Sequence, residues 1–110
     1  MKKDKVYLHH ILDAIADINH YLDGMDYSDF EKNKMAIDAV IRKLEIIGEA
    51  TNNLSSNFIA MFSDFPVNDP VDMRNFLIHE YFGVKTKIVW DTCKNDLPGL
   101  KNVINKILDD

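Results

Sequence analysis

Between Phe30 and Asn53 the polar residues Asp38, Arg42, Glu45, Glu49 and Asn52 recur at steps of three and four. At ~100° per residue they collapse into one helical stripe only ~80° wide. Nearly everything else is apolar or small, with Ile37, Val40, Ile41, Leu44 and Ile47 on one side and Ala36, Ala39, Ile46 and Ala50 on another. A helix apolar over most of its circumference must be covered from several directions. The segment is therefore expected to be the central helix of a bundle, partly buried by a second protomer. Gly48 costs roughly 1 kcal/mol against alanine inside a helix, and it reads as a point of close helix approach.

The neighbouring segments carry compatible patterns. Leu8, Ile11, Leu12, Ile15, Ile18, Leu22 and Met25 recur at steps of three and four, with Asp13, Asp17 and His20 off that stripe, so an amphipathic helix is predicted that stops near Gly24. Ser28 or Asp29 can cap the central helix. The stretch from Leu54 to Pro70 is punctuated by Ser55, Ser56, Pro66 and Asn68, and reads as a short helix plus loop. Asp69 before Pro70 suits a helix start, and Gly83 suits its stop. A fourth helix is expected from Lys85 to Asn95, and Asp96-Leu97-Pro98 opens or kinks a last one bearing Leu100, Val103, Ile104, Ile107 and Leu108. No segment alternates as a strand. The expected fold is all-α: an antiparallel bundle of four to five helices in a single domain spanning 1–110, assembled as a homodimer.

Composition narrows the function. The 110 residues carry a net charge of -5, which argues against coating nucleic acid through a broad basic surface. Any such contact must be local. Arg42 and Arg74 are the arginines, both within apolar-patterned helices. The single Cys93 points to a reducing cytoplasm. No run approaches the ~18 apolar residues of a membrane span. The basic start Met1-Lys2-Lys3-Asp4-Lys5 leads into an amphipathic segment rather than a signal peptide.

The chemistry concentrates in Met73-Arg74-Asn75-Phe76-Leu77-Ile78-His79-Glu80-Tyr81-Phe82-Gly83. A guanidinium grips phosphate, an imidazole moves protons near neutral pH and a phenol can accept a transferred group. On a straight helix Arg74 and Tyr81 share a stripe, whereas His79 lies ~140° from Arg74. Either the helix deforms near His79 or two copies each contribute half of a site. A plainer reading remains open for each residue: His79 and Tyr81 as packed side chains, Arg74 as the ion-pair partner of Glu45 or Glu49. His9 and His10 point to different helix faces and make poor metal ligands. The zincin spacing after His79-Glu80 meets Gly83 where a second histidine is required. Gly24, Gly48, Gly83 and Gly99 stand alone, so no glycine loop cradles a phosphate. No metal or other cofactor is expected.

The order arginine, polar residue, three further residues, histidine, one residue, tyrosine resembles the signature of the HEPN superfamily, and the chain is similar to its HepT-type members. Leu44-Glu45-Ile46-Ile47-Gly48-Glu49-Ala50, the run Met73 to Gly83, Ile88-Val89-Trp90 and Asp96-Leu97-Pro98 extend the resemblance over nearly the whole chain. Where the family often has a tryptophan before the motif helix, this chain reads Pro66-Val67-Asn68-Asp69-Pro70. The resemblance implies a metal-independent ribonuclease, the toxin of a toxin-antitoxin pair, acting as a dimer whose motifs meet in a cleft. Arg74 and His79 match the family's catalytic pair, and Asn75 its polar residue. Arg42, Glu45 and Glu49 would form a supporting polar stripe. The implied partners are RNA and an MNT-type nucleotidyltransferase antitoxin that transfers AMP from ATP to Tyr81. The alternative is a non-catalytic helical module that binds a nucleotide or docks the nucleotidyltransferase.

Overall fold

A computed structural model describes residues 2–79 and 85–109, with backbone alone for Ile78 and His79. The expectations for the His79 side chain, for Tyr81 and for a helix stop at Gly83 lie outside the described residues. The described chain forms α1 (Lys2–Leu22), α2 (Tyr27–Lys32), α3 (Lys34–Asn52), α4 (Ser56–Met61), α5 (Asn68–His79), α6 (Thr86–Asp91), a π-helical turn (Thr92–Asp96) and α7 (Leu97–Asp109). No strand occurs among the described residues, and no described helix is long and apolar enough to cross a membrane.

α1 follows its stripe, burying Leu8, Ile11, Ile15, Ile18 and Leu22, and stops just before Gly24, which lies in the left-handed region at φ 78. It runs antiparallel to α3. Asp4 near its start bonds Ser55 just past the end of α3, while Asp17 further along pairs with Lys43 at 2.8 Å. Facing residues Val40, Leu44 and Ile47 of α3, Leu77 of α5, Val89 of α6 and Ile104 of α7 complete the core. The apolar arc of α3 is covered mainly from within the chain, by α1, α2, α5 and α6. Ile37, Ala39 and Ile46 remain half-buried, so the width of that arc does not by itself require a second copy.

Three boundaries differ from the sequence expectation. The predicted helix from Phe30 to Asn53 is broken at Asn33, whose backbone leaves the helical region at φ -106, ψ 89. Its side chain accepts from the Ala36 N–H at 3.0 Å and starts a new helix. The cap of α2 is Asp26, not Ser28 or Asp29; Asp29 supplies the reciprocal arm of a capping box, with bonds of 2.8 and 3.2 Å. Trp90 fixes the direction of α2 by packing on Phe30 and Tyr27. At the other end, Asn68 is already the first residue of α5, so Asp69, the expected cap, is the second residue of the helix. Before α5, Phe58 packs against Phe62 and Phe65.

Pro98 does not break the last helix. It has no N–H, and in a regular α-helix its ring would crowd the carbonyl of Lys94. The wider π turn immediately before it loosens the ladder there, with the Leu97 N–H reaching Thr92 O. The same turn buries Cys93, whose thiol is pushed up to about 12 by desolvation. That makes it an inert core residue.

Asp4 ties the start of α1 to the start of α4. Its buried carboxylate accepts from the Ser55 N–H at 2.7 Å and the Ser55 hydroxyl at 2.8 Å, while Ser55 caps Phe58. Burial alone would raise this carboxyl, but the Ser55 bonds pull the other way and the net value lies below the ordinary one. Asp4→Ala is expected to cost about 1.5–3 kcal/mol, the scale of hydrogen bonds to a charged group. Because the folded value is depressed, this stabilisation is present above the unfolded carboxyl range of roughly 3.9 and is lost as pH falls through the folded value. Thermal melts check both points: the gap between wild type and Asp4→Ala should be wide at neutral pH and should shrink in acid.

Candidate active site

The position of Arg74 is set by Gly48. A Cβ placed on Gly48 would collide with the Arg74 Cβ and stand 2.6 Å from the Pro70 carbonyl oxygen. Only a residue without a side chain lets α5 lie this close to α3. The residue after Gly48 is Glu49, so the crossing carries the Arg74 guanidinium directly to its carboxylate. Nη1 donates to Glu49 Oε2, and Nη2 donates to Asn75 Oδ1 at 2.9 Å. Of the two ion-pair partners the sequence left open, α3 presents Glu49. Glu45 instead pairs with Arg42 one turn back, at 3.8 Å.

The Arg74 Nε is buried and has no hydrogen-bond partner among the described residues. Glu49 and Asn75 restrict the rotamers of the arginine. Its side chain keeps 20% of its exposure.

Around it lies a cleft of about 310 Å³ whose walls include Tyr7 and His10 from α1, Arg42, Glu45 and Glu49 from α3, and Arg74 from α5. Of the polar stripe expected from sequence, Arg42, Glu45 and Glu49 line the same cleft as Arg74, and Glu49 bonds it, with Ile46 and Ala50 also lining the cleft. Two arginines face two carboxylates, so the cleft holds local positive groups without a strong net field. A phosphate approaching Arg74 competes with Glu49 for the guanidinium. Asn75 Oδ1 holds one arm of the Arg74 fork.

Tyr7 and His10 were not among the sequence candidates. They stand one turn apart on the flank of α1's buried stripe, and their ring centroids lie 6.1 Å apart at 83°. A spacing of three residues between two aromatic, hydrogen-bonding side chains beside an apolar stripe was the available signal. His9 lies on a different face and does not line the cleft. α5 stays regular through His79. Up to that residue, no helix distortion brings position 79 round to the Arg74 stripe.

The ribonuclease HepT-like family model matches residues 11–107. The chain belongs to the HepT-like ribonuclease family. Among its relatives is a Methanocaldococcus jannaschii protein named "Gamma-glutamylcyclotransferase and putative RNase", 42% identical over 111 residues covering 100% of this chain and 50% of that protein. The present chain thus spans half the length of that relative. A "Probable ribonuclease HepT" of Thermococcus cleftensis is 39% identical over 106 residues, covering 96% of each chain. A "Putative RNase" of Caldanaerobacter subterraneus subsp. tengcongensis is 39% identical over 108 residues, covering 98% of this chain and 96% of its own. No solved structure gives a significant match.

Proposed function

We propose that this HepT-like chain is a metal-independent RNA endonuclease that serves as the toxin of a toxin-antitoxin pair. The observation that carries the reading is the seating of Arg74, forced against α3 by Gly48 and presented at the edge of a nucleotide-sized cleft. In the proposed reaction the substrate's 2′-hydroxyl attacks the adjacent phosphorus. A P–O bond forms to the 2′-oxygen, the bond to the 5′-oxygen breaks, and a cyclic phosphate and a free 5′-hydroxyl result. His79 of one copy takes the 2′-proton and its twofold mate protonates the leaving 5′-oxygen, while Arg74 holds the phosphate oxygens as charge develops.

The regular backbone of α5 supports completing this site from two copies. Arg74 and residue 79 are ~140° apart on one undistorted helix, so the two groups converge most simply across a twofold axis. Tyr81, seven residues after Arg74 in the sequence, would receive AMP from ATP through an MNT-type nucleotidyltransferase, with release of pyrophosphate. The added anion would occupy the Arg74 guanidinium and repel RNA.

The direct test incubates purified protein with single-stranded RNA and with matched DNA in excess chelator. Wild type should cut RNA and leave DNA intact, since DNA lacks the 2′-hydroxyl. His79→Ala should lose cleavage by on the order of 100-fold or more, the general acid–base contribution. Equal cutting by both proteins would remove His79 from the mechanism, and no cutting by wild type would favour a nucleotide-binding or nucleotidyltransferase-docking module. Light scattering on the same samples should read a dimer.

A further inference from the structure

We propose that α1 supplies a base-binding wall to the Arg74 cleft, with His10 as the ring on which a nucleotide flanking the scissile phosphate stacks and Tyr7 as its positioning residue. The inference rests on the ribonuclease reading for the identity of the ligand, RNA. Its physical basis is that two rings line the same cleft as two arginines. His10 is exposed and lines the cleft, whereas Tyr7 is half-buried and packed against the core. Their near-perpendicular contact, 83° at 6.1 Å, limits the rotamers of an otherwise free surface imidazole.

Charge alone is a weak source of affinity here. The chain carries a net charge of -5, and Glu45 and Glu49 offset Arg42 and Arg74 inside the cleft. Binding of an RNA strand therefore needs a contribution that does not depend on net charge. Stacking on a ring provides one, because every base has a π-face and single-stranded RNA splays its bases toward aromatic side chains. The cleft volume, about 310 Å³, lies near the lower bound of ligand sites at roughly 300 Å³, which suits one nucleotide and not a duplex. Arg74 would hold the phosphate while His10, from α1 on the wall of the same cleft, takes the neighbouring base.

The experiment measures binding of a short single-stranded 2′-O-methyl RNA by fluorescence anisotropy, alongside KM and kcat for cleavable RNA. His10→Gln should raise Kd and KM on the order of tenfold, while His10→Phe, which keeps a ring, stays within about twofold of wild type. Tyr7→Leu should weaken binding like His10→Gln, and Tyr7→Phe should restore it. His9→Gln is the surface control and should bind as wild type does. kcat should stay unchanged throughout, since a wall that binds ground state and transition state alike alters KM only. His10 is exposed, so its variants test the idea even if Tyr7→Leu fails to fold. Unchanged Kd in His10→Gln, equal weakness of His10→Phe and His10→Gln, or a fall in kcat at constant KM would each overturn the proposal. If wild type cuts no RNA, the ribonuclease reading falls while oligonucleotide Kd still decides the wall. If wild type cuts RNA and His10→Gln binds normally, the wall alone is lost.

Discussion

Arg74→Ala is expected to reduce RNA cleavage by on the order of 100-fold to 1000-fold, the range for removing a preorganised donor to developing charge. Stability should barely move. Alanine keeps the Cβ that packs against Gly48, and Glu49, whose side chain is 57% exposed, regains water when its partner is removed. A partly exposed ion pair contributes about 0–1 kcal/mol, so the melting temperature should shift by only a few degrees. Arg74→Lys keeps the charge but not the fork that reaches Glu49 and Asn75 together, and it should recover no more than about a tenth of the activity. Cleavage assays paired with thermal melts separate these outcomes. A large loss of stability in Arg74→Ala would mean that the arginine is chiefly a structural clamp between α3 and α5.

The second large effect is expected at Gly48, and its sign runs against helix propensity. In an open helix Gly→Ala is favourable by about 1 kcal/mol. At Gly48 the added methyl meets the Arg74 Cβ and the Pro70 carbonyl, both anchored on α5 and unable to swing aside. Overpacking of this kind costs about 1–3 kcal/mol, a fall in Tm of roughly 5–15 °C for a chain of this size. Cleavage should fall as well, because relieving the clash lifts α5 and carries Arg74 away from Glu49 and the cleft. Gly99 on α7 is the internal comparison: nothing lies within 4 Å of a Cβ there, so Gly99→Ala should be neutral or slightly stabilising. Equal melting temperatures for Gly48→Ala and Gly99→Ala would sink the close-approach argument.

Much of the architecture was legible because it follows from periodicity. The α1 stripe, the Gly24 stop and the apolar arc of α3 depend on spacing along one helix, and they appear where the spacing puts them. The break at Asn33 was less visible. It turns on a single asparagine whose side chain caps Ala36, a local preference worth about 1 kcal/mol that the apolar pattern on either side outweighs by eye. Packing of Trp90 against Phe30 and Tyr27 then fixes the angle of the short α2, and that contact spans sixty residues of sequence. The continuous passage from α6 to α7 was hidden for a related reason. Pro98 forbids a regular turn but permits a π turn, and the burial of Cys93 and Leu97 favours the latter.

For the candidate site, the chemical inventory was readable along the chain: Arg74 and Asn75 on one helix, Glu45 and Glu49 on another, and a glycine that had to mark a close approach. Periodicity fixes the angle of a residue around its own axis. It does not fix where two axes cross. Tertiary structure decided that α5 meets α3 at Gly48, that Arg74 therefore pairs with Glu49 while Glu45 goes to Arg42, and that α1 brings Tyr7 and His10 to the same cleft. Those choices depend on which side chains fill a shared core, a property of the packed helices together and of none of them alone.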